Sequence, residues 1–419
     1  MMSAMELEKE MKSSLIVIFA LGTLLGPPIL AQDVKLSQAD DYLAAKIVLG
    51  RTLFRSSHLS GNKQMTCATC HEPGLSFTDG SAESPGILGS GVGRNAPTML
   101  AIGHIKHFPG PNVLSSNPLK GGRALTLSER CLVPIENPLE MASSVADAVE
   151  RLSKTRGMRA SFAKAYGPGI LGITPKRIGD ALATYLRTVE APSSPYRDLL
   201  EGNQPEMTAI EKRGLELFNG SGKCASCHSG KGLSDGLLHP AFLPGSKRDL
   251  AQTQRSLALA RDARQRFKNL GVKLPQSGIG RDLFERLAPP PQQQGCDATM
   301  GSSRNQRTTY DGQDPNFRQM HTLSLWDVSR TAPYFRDGSA KTLIQAVQSH
   351  VGELRAVRAN WGKIRSIRKQ VERRPETRTA KKLQPKWAKS TKKAPAPEDL
   401  TPGDLRALVA FMVTFSPRD

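Results

Sequence analysis

Cys67-Ala-Thr-Cys70-His71 and Cys224-Ala-Ser-Cys227-His228 are two copies of one pentad, and they decide how the rest of the chain is interpreted. The two cysteines are three residues apart, so on a helical turn both thiols face one side, and the histidine follows on that face. Such thiols can form thioethers with the vinyl groups of a protoporphyrin while the imidazole reaches the iron. A four-cysteine zinc site is the alternative, but zinc ribbons place their cysteine pairs about 15–20 residues apart. The pentads therefore predict two covalently bound haem c groups, with His71 and His228 as iron ligands.

The stretches before the two pentads repeat each other. Apolar residues from Ala44 to Phe54 follow helical spacing, and Thr208 is expected to cap a second helix that ends near Phe218. Each helix ends in Leu-Phe and is followed by a polar loop and a pentad. Strand-like alternation is nowhere sustained. We therefore expect a mainly α protein of two cytochrome c-like domains with long loops, over residues 36–195 and 196–419.

The first 31 residues have the pattern of a secretory signal peptide. Lys9 and Lys12 flank a short apolar run, Gly26-Pro27-Pro28 interrupts it, and Ala31 is a plausible cleavage point. An uncleaved membrane anchor is the alternative, but the run is shorter than the roughly 18–20 residues that a spanning helix needs. The pattern predicts an exported, periplasmic protein.

The net charge of +20 is concentrated in a basic insert, residues 355–393. Such a run is most often a solvated segment. It could alternatively dock an acidic redox partner or an anionic membrane surface, and export argues against nucleic acid. Cys131 and Cys296 lie outside the pentads, and either a disulfide between them or two buried thiols is compatible with the sequence.

Several short strings outside the pentads carry a family resemblance. In chain order they are Phe77-Thr78-Asp79-Gly80, Arg94-Asn95-Ala96-Pro97-Thr98, Pro134-Ile135-Glu136-Asn137-Pro138-Leu139-Glu140-Met141 and Thr331-Ala332-Pro333-Tyr334-Phe335-Arg336-Asp337-Gly338. In these strings the chain resembles the bacterial di-haem cytochrome c peroxidase family, which includes the MauG-type enzymes. The resemblance extends from about Ala44 to Phe415.

The resemblance assigns different roles to the two haems. The first, on His71, corresponds to the peroxidatic haem, and Glu140 corresponds to the carboxylate that moves a proton during O–O cleavage. The second, on His228, corresponds to the electron-transfer haem. Its other axial ligand maps to His350, with Met320 and His321 as alternatives. The family's calcium ion maps to the Asn95 side chain and the backbone carbonyls of Thr331 and Pro333.

The chain departs from the family pattern around the first haem. Residues 81–94 contain no histidine, whereas those peroxidases of the family whose first haem is blocked at rest carry a histidine in this segment. We therefore expect an open first haem. Arg130 stands where the family has a glutamine above this haem, so its guanidinium could either polarise peroxide or pair with Glu140.

Two further departures concern electron transfer. The family's bridging tryptophan is replaced within Lys120-Gly121-Gly122-Arg123, and Trp326 could be a substitute relay or only a packing residue. Histidine at position 350 replaces the methionine found in many peroxidases of the family. Methionine raises the potential of a c-type haem, so imidazole should lower it.

Three functions follow from these features. The first is reduction of hydrogen peroxide with electrons from a small cytochrome c or cupredoxin. The second is MauG-like, peroxide-driven oxidation of a protein or organic substrate, which the expected low potential favours. The third is a non-catalytic electron-transfer cytochrome, which Glu140 in its string argues against. The resemblance also allows a homodimer.

Overall fold

The structure is a computed structural model, and it describes residues 38–87, 89, 91–106, 108, 125–137, 139–167, 172–240, 319–359 and 400–418. The predicted signal peptide, Lys120–Arg123, Cys296 and most of the basic insert lie outside these residues. The chain divides into two compact units, residues 1–42 and residues 43–419. The proposed boundary at residues 195 and 196 stays a prediction. Among the described residues, no helix has both the length and the apolar character to cross a membrane.

The described residues are mainly helical, which confirms the predicted fold class. The first six described helices are α1 Gln38–Phe54, α2 Cys67–Cys70, α3 Leu127–Arg130, α4 Val133–Glu136, α5 Val145–Lys154 and α6 Met158–Tyr166. The later helices are α7 Pro175–Leu186, α8 Pro195–Leu200, α9 Ala209–Asn219, α10 Leu343–Ala359 and α11 Pro402–Val413. Two three-residue strands, β1 Leu238–Pro240 and β2 Gln319–His321, pair antiparallel.

In the first half, α1 crosses α7 at a glycine. A methyl group on Gly50 would overlap the carbonyl oxygen of Ala181 and lie 2.7 Å from Cβ of Tyr185. Only glycine allows the two backbones to approach this closely. One turn later, the rings of Phe54 and Tyr185 meet edge to face at 5.4 Å. Both Leu53 and Phe54 are fully buried, so the Leu-Phe pair fixes α1 just before the first pentad.

In the second half, α9 crosses α11 in the same way. A methyl group on Gly214 would overlap the carbonyl oxygen of Ala407 and lie 2.5 Å from Cβ of Phe411. The rings of Phe218 and Phe411 then meet at 5.3 Å. Gly214 precedes Leu217-Phe218 by the spacing that separates Gly50 from Leu53-Phe54. The two pentads therefore follow two equivalent helix crossings.

Caps fix the start of both helices in the second crossing. The Thr208 hydroxyl accepts from the Glu211 N–H at 3.3 Å, and the Glu211 carboxylate accepts from the Thr208 N–H at 2.6 Å. Thr401 and Asp404 form the same reciprocal box on α11. Arg213 joins the two helices by donating to Asp404 Oδ1 from Nη2 at 2.9 Å and from Nε at 3.2 Å.

Candidate haem sites

The first pentad forms α2 and places His71 directly after it. The His71 backbone N–H donates to the Cys67 carbonyl at 3.0 Å, and His71 Nδ1 lies 3.0 Å from the Phe77 carbonyl oxygen. A carbonyl oxygen only accepts, so Nδ1 carries the proton and Nε2 keeps a lone pair. Metal-ligating histidines are commonly oriented by such a bond. His71 is thus held in the tautomer that an iron ligand needs.

The second pentad is arranged in the same way. The His228 backbone N–H donates to the Cys224 carbonyl at 2.9 Å, and His228 Nδ1 lies 3.1 Å from the Leu233 carbonyl oxygen. This bond also leaves Nε2 as the ligating nitrogen.

Phe77 and Leu233, which supply these carbonyls, share an uncommon backbone conformation. Their φ angles are +58° and +45°, in the left-handed region that large side chains seldom adopt. Each residue is followed by Ser or Thr and then Asp-Gly, and each side chain is buried. Strain of this kind persists where the surrounding structure holds it, commonly at functional sites. The sequence analysis did not identify these carbonyls.

Three of the four pentad thiols, those of Cys67, Cys70 and Cys224, have raised pKa values, which favours their protonated form. Burial raises the pKa of Cys67 to about 12, and nearby Cys131 adds to the effect. Burial likewise raises the pKa of Cys224 to about 12. A c-type haem needs two thiols for its thioether bonds and one correctly oriented imidazole for its iron. Both pentads supply these groups and therefore fit the predicted cofactor.

Glu140 lies near the first pentad. Its charge is close enough to act on the pKa values of Cys67, Cys70 and His71, although burial is the main cause of each shift. Burial lowers the pKa of His71, which favours the neutral imidazole. The Glu140 side chain is 20% exposed. A carboxylate so placed can exchange protons with a small molecule bound beside the haem.

An arginine that sequence reasoning left without a role contacts Glu140. Arg94 Nη2 donates to Glu140 Oε1 in a short ion pair, and Asn137 Nδ2 donates to the same oxygen at 2.8 Å. Arg94 stands in the string that carried the family resemblance. Its partner, 46 positions later, could not be deduced from that string.

Arg130 lies within electrostatic range of Glu140 and Arg94. Burial lowers its pKa, the Glu140 charge opposes that effect, and the Arg94 charge adds to it. The ion pair described for Glu140 is formed with Arg94. The sequence analysis left open whether Arg130 polarises peroxide or pairs with Glu140. In the structure, the residue that pairs with Glu140 is Arg94.

His350, on α10, faces His228. The two ring centroids are 6.5 Å apart and their planes make an angle of 47°. Two metal–nitrogen bonds of about 2 Å each, added to the distance from each ring centroid to its nitrogen, would span this separation. His350 also stacks on Phe335 at 5.7 Å with 9° between the planes. This pair fits a metal ion ligated from both sides.

His350 is desolvated by neighbouring groups but still reached by solvent. Desolvation by the enclosing protein lowers its pKa, yet the residue remains exposed. A neutral imidazole with an accessible nitrogen can bind iron. Of the alternative ligands, His321 has its ring 6.1 Å from that of Phe108, and the Met320 side chain lies outside the described part of the chain.

The predicted calcium ligands are partly brought together. Asn95 Nδ2 donates to the Pro333 carbonyl oxygen in a short contact, and the Asn95 backbone N–H donates to the Arg336 carbonyl at 2.8 Å. Thr331 lies two residues from Pro333, and its backbone N–H donates to the Val328 carbonyl at 3.4 Å. Rotating the Asn95 side-chain amide by about 180° would exchange Nδ2 and Oδ1 and place Oδ1 beside the Pro333 carbonyl oxygen. Both oxygens suit a hard cation.

Trp326 is fully buried. Its Nε1–H donates to the Lys231 carbonyl at 2.7 Å, and its ring lies 5.9 Å from Tyr196. The next residue, Asp327, accepts a short hydrogen bond from the Ser76 hydroxyl. Trp326 is therefore a packing residue between the loops that hold His71 and His228, and a role in relaying electrons stays a prediction.

Comparisons with known proteins agree with these features. Residues 44–205 match the family model described as di-haem cytochrome c peroxidase. The methylamine utilization protein MauG of Methylophilus methylotrophus is 32% identical over 201 residues, which cover 48% of this chain and 56% of that protein. The cytochrome c peroxidase Ccp of Escherichia coli is 28% identical over 306 residues, 73% of this chain and 52% of that protein. The chain thus spans about half the length of these two relatives.

A solved structure has the same fold. The crystal structure of the diheme peroxidase BthA of Burkholderia thailandensis superimposes with a TM-score of 0.54 at 20% identity, over 88% of this chain and 86% of that one. The family resemblance seen in the sequence is confirmed.

Proposed function

We propose that this chain, which is similar to di-haem cytochrome c peroxidases over residues 44–205, reduces hydrogen peroxide to water at a haem held by His71. The balance is one hydrogen peroxide, two electrons and two protons to two waters. The observation that carries the proposal is Glu140, a carboxylate oriented by Arg94 and Asn137 and close to the first pentad.

The haem, when bound, supplies the redox chemistry, and the residues supply orientation and protons. His71 offers Nε2 because its Nδ1–H is engaged by the Phe77 carbonyl. Glu140 takes a proton from one oxygen of peroxide and returns it to the departing oxygen, which is general acid–base catalysis. Arg130, half-buried and cationic within electrostatic range of Glu140, is the candidate for polarising peroxide.

A second haem, held by His228 and His350, would relay electrons to the first. The separation of the two rings and the neutral state favoured for His350 support this ligand pair. The electrons would come from a small donor, either a cytochrome c or a cupredoxin, in the periplasm. The donor, the location and a homodimeric state rest on the family and on the N-terminal segment.

A specific observation favours a second candidate function. Imidazole ligation on both sides of the second haem should give a lower potential than ligation by methionine. A low potential stabilises oxidised states, which suits MauG-like oxidation of a protein or organic substrate with peroxide. Relatives named as MauG and as peroxidases are both found.

The test is the reaction of the oxidised, haem-loaded protein with peroxide, followed by stopped-flow absorption, in wild type and Glu140→Gln. Removing a general acid–base typically costs about 10²–10⁴-fold, and we expect a loss in that range. Glu150→Gln is the control, since Glu150 is an exposed glutamate paired with Lys154 at 2.7 Å. An unchanged rate in Glu140→Gln would remove Glu140 from the mechanism.

Two further measurements separate the candidates. Rapid oxidation of a reduced cytochrome c by peroxide supports the peroxidase, whereas a long-lived oxidised protein without donor turnover supports the MauG-like function. Electron paramagnetic resonance of the oxidised protein should show one high-spin and one low-spin haem. Two low-spin signals and no reaction with peroxide would favour the non-catalytic electron carrier.

A further inference from the structure

Two side chains converge on a single oxygen of Glu140. Arg94 Nη2 and Asn137 Nδ2 both donate to Oε1. Among the residues that the structure describes, these two bonds end on Oε1 and neither involves Oε2. A carboxylate held through one oxygen has a fixed plane, so its second oxygen points in one direction.

Asn137 also holds the backbone at this point. Its Oδ1 accepts from the Leu139 N–H at 3.0 Å, and its carbonyl accepts from the Glu140 N–H at 3.1 Å. These bonds form a tight turn that ends at Glu140. Asn137 therefore fixes where the Glu140 backbone lies and supplies one of the two donors to Oε1, while Arg94 supplies the other.

Arg94 is suited to this task because its own backbone is held on both sides. Its carbonyl accepts from the Ser84 N–H at 2.9 Å, and the next residue, Asn95, donates to the Arg336 carbonyl at 2.8 Å. The Gly93 N–H donates to Glu83 Oε1 at 2.9 Å. The side chain is 27% exposed, so the contact with Glu140 is partly shielded from water and worth more than a surface pair.

We infer that Arg94 is a positioning residue for the peroxide reaction. It clamps Glu140 Oε1 so that Oε2 is the oxygen that receives and returns the proton. The inference rests on the proposed function and goes beyond it, since the guanidinium acts through Glu140 rather than on peroxide. Arg130 also lies within electrostatic range of Glu140, but the ion pair with Glu140 Oε1 is formed by Arg94.

The test compares Arg94→Gln, Arg94→Lys and the control Arg156→Gln in the haem-loaded protein. Arg156 is an exposed arginine between α5 and α6. Misplacement of a catalytic group by about 1 Å can cost on the order of a hundredfold. We therefore expect Arg94→Gln to slow the reaction with peroxide about ten- to a hundredfold, Arg94→Lys to recover part of the rate, and Arg156→Gln to match wild type.

Binding of cyanide gives a readout that does not depend on turnover. Hydrogen cyanide must lose its proton when it binds as cyanide, and Glu140 is the group that would accept it. The association rate should fall in Arg94→Gln and in Glu140→Gln by similar factors. In the double variant the loss should equal that of Glu140→Gln alone, because the two residues act as one unit.

The outcomes separate the inference from the proposed function. If Glu140→Gln is slow and Arg94→Gln reacts like wild type, the inference is overturned while the proposed function stands. An equal loss from Arg94→Gln with and without Glu140 would also overturn it, since the arginine would then act by another route. If Arg94→Gln fails to load haem, Arg94→Lys and its double variant with Glu140→Gln decide the matter by the same criteria. If Glu140→Gln leaves both rates unchanged, the inference and the assigned acid–base residue fail together.

Discussion

The imidazole rings of His228 and His350 lie 6.5 Å apart, although 122 positions separate them in the chain. The first ring is fixed by the Leu233 carbonyl and the second by stacking on Phe335. We propose that two oriented imidazoles at this distance ligate one iron, and their identity would then control the potential of the second haem.

Replacing His350 by methionine should raise that potential. Axial ligands tune haem potentials over a range of roughly 0.8 V, and we expect an increase on the order of 100 mV for His350→Met. The low-spin bis-imidazole signal should be lost in the same variant. Spectroelectrochemical titration and electron paramagnetic resonance give the two measurements.

His321→Met is the matched control for this substitution. His321 was one of the two alternative ligands in the sequence, with Met320, and its ring lies beside Phe108. We expect this variant to keep the potential and the low-spin signal of wild type. If His321→Met shifts the potential and His350→Met does not, the ligand assignment is wrong.

The glycine at the α9–α11 crossing gives a prediction about stability. In Gly214→Ala the new methyl group would overlap the Ala407 carbonyl oxygen, so α11 must move away from α9. Overpacking of this kind costs about 1–3 kcal/mol, and we expect the free energy of unfolding in urea to fall by about that amount.

Gly352→Ala provides the contrast within another helix. A methyl group at Gly352, in α10, meets no atom within 4 Å, and alanine favours helix over glycine by about 1 kcal/mol. This variant should be as stable as wild type or more stable. Equal stability of Gly214→Ala and wild type would show that the crossing adjusts without cost.

Sequence alone predicted the parts of this fold that are local. The pentads, the Leu-Phe pairs and the Thr208 cap each depend on residues within a few positions, and the chemistry of those residues is sufficient. The partners of Gly50 and Gly214 lie more than 100 positions away in α7 and α11. No local pattern indicates that these glycines are contact points.

The same limit applies to the candidate site. Glu140 was found because its string resembles a family, yet its contact with Arg94 requires the folded chain. The Phe77 and Leu233 carbonyls were missed because backbone atoms leave no side-chain signature. The signal that could have found them is the apolar residue before each Ser/Thr-Asp-Gly turn.

Calcium binding at Asn95 is open to a direct test. If a cation is held by Asn95 Oδ1 with the Thr331 and Pro333 carbonyls, removal of calcium should change the haem spectrum and lower the melting temperature. Asn95→Ala should resemble the chelated wild type and show no further response to chelator. At a free calcium concentration of 100 times the Kd, binding would raise the free energy of unfolding by about 2.7 kcal/mol, which is the size of effect that we expect chelation to remove. Identical melting of wild type with and without chelator would exclude the site.

The capping box of α11 gives a prediction about pH. The pKa of Asp404 lies below its ordinary value of 3.8, first because the Thr401 backbone N–H donates to the carboxylate, and further because the Thr401 hydroxyl and Arg213 do so. A depressed pKa means that the folded state binds the proton less tightly than the unfolded state. The stabilisation is therefore complete above about pH 4 and is lost as the pH falls through the folded pKa.

Asp404→Asn should consequently be less stable than wild type by about 1 kcal/mol at neutral pH, with the difference shrinking below pH 4. Urea denaturation of the two proteins across pH 2.5–7, a range set around the ordinary carboxyl pKa of about 3.9, provides the measurement. Taking the difference cancels the other carboxylates, which both proteins share. Glu201→Gln, which removes an exposed pair with Arg197, should change stability by less than about 0.5 kcal/mol at every pH. A difference between Asp404→Asn and wild type that stays constant down to pH 2.5 would mean that Asp404 stabilises α11 by packing rather than by charge.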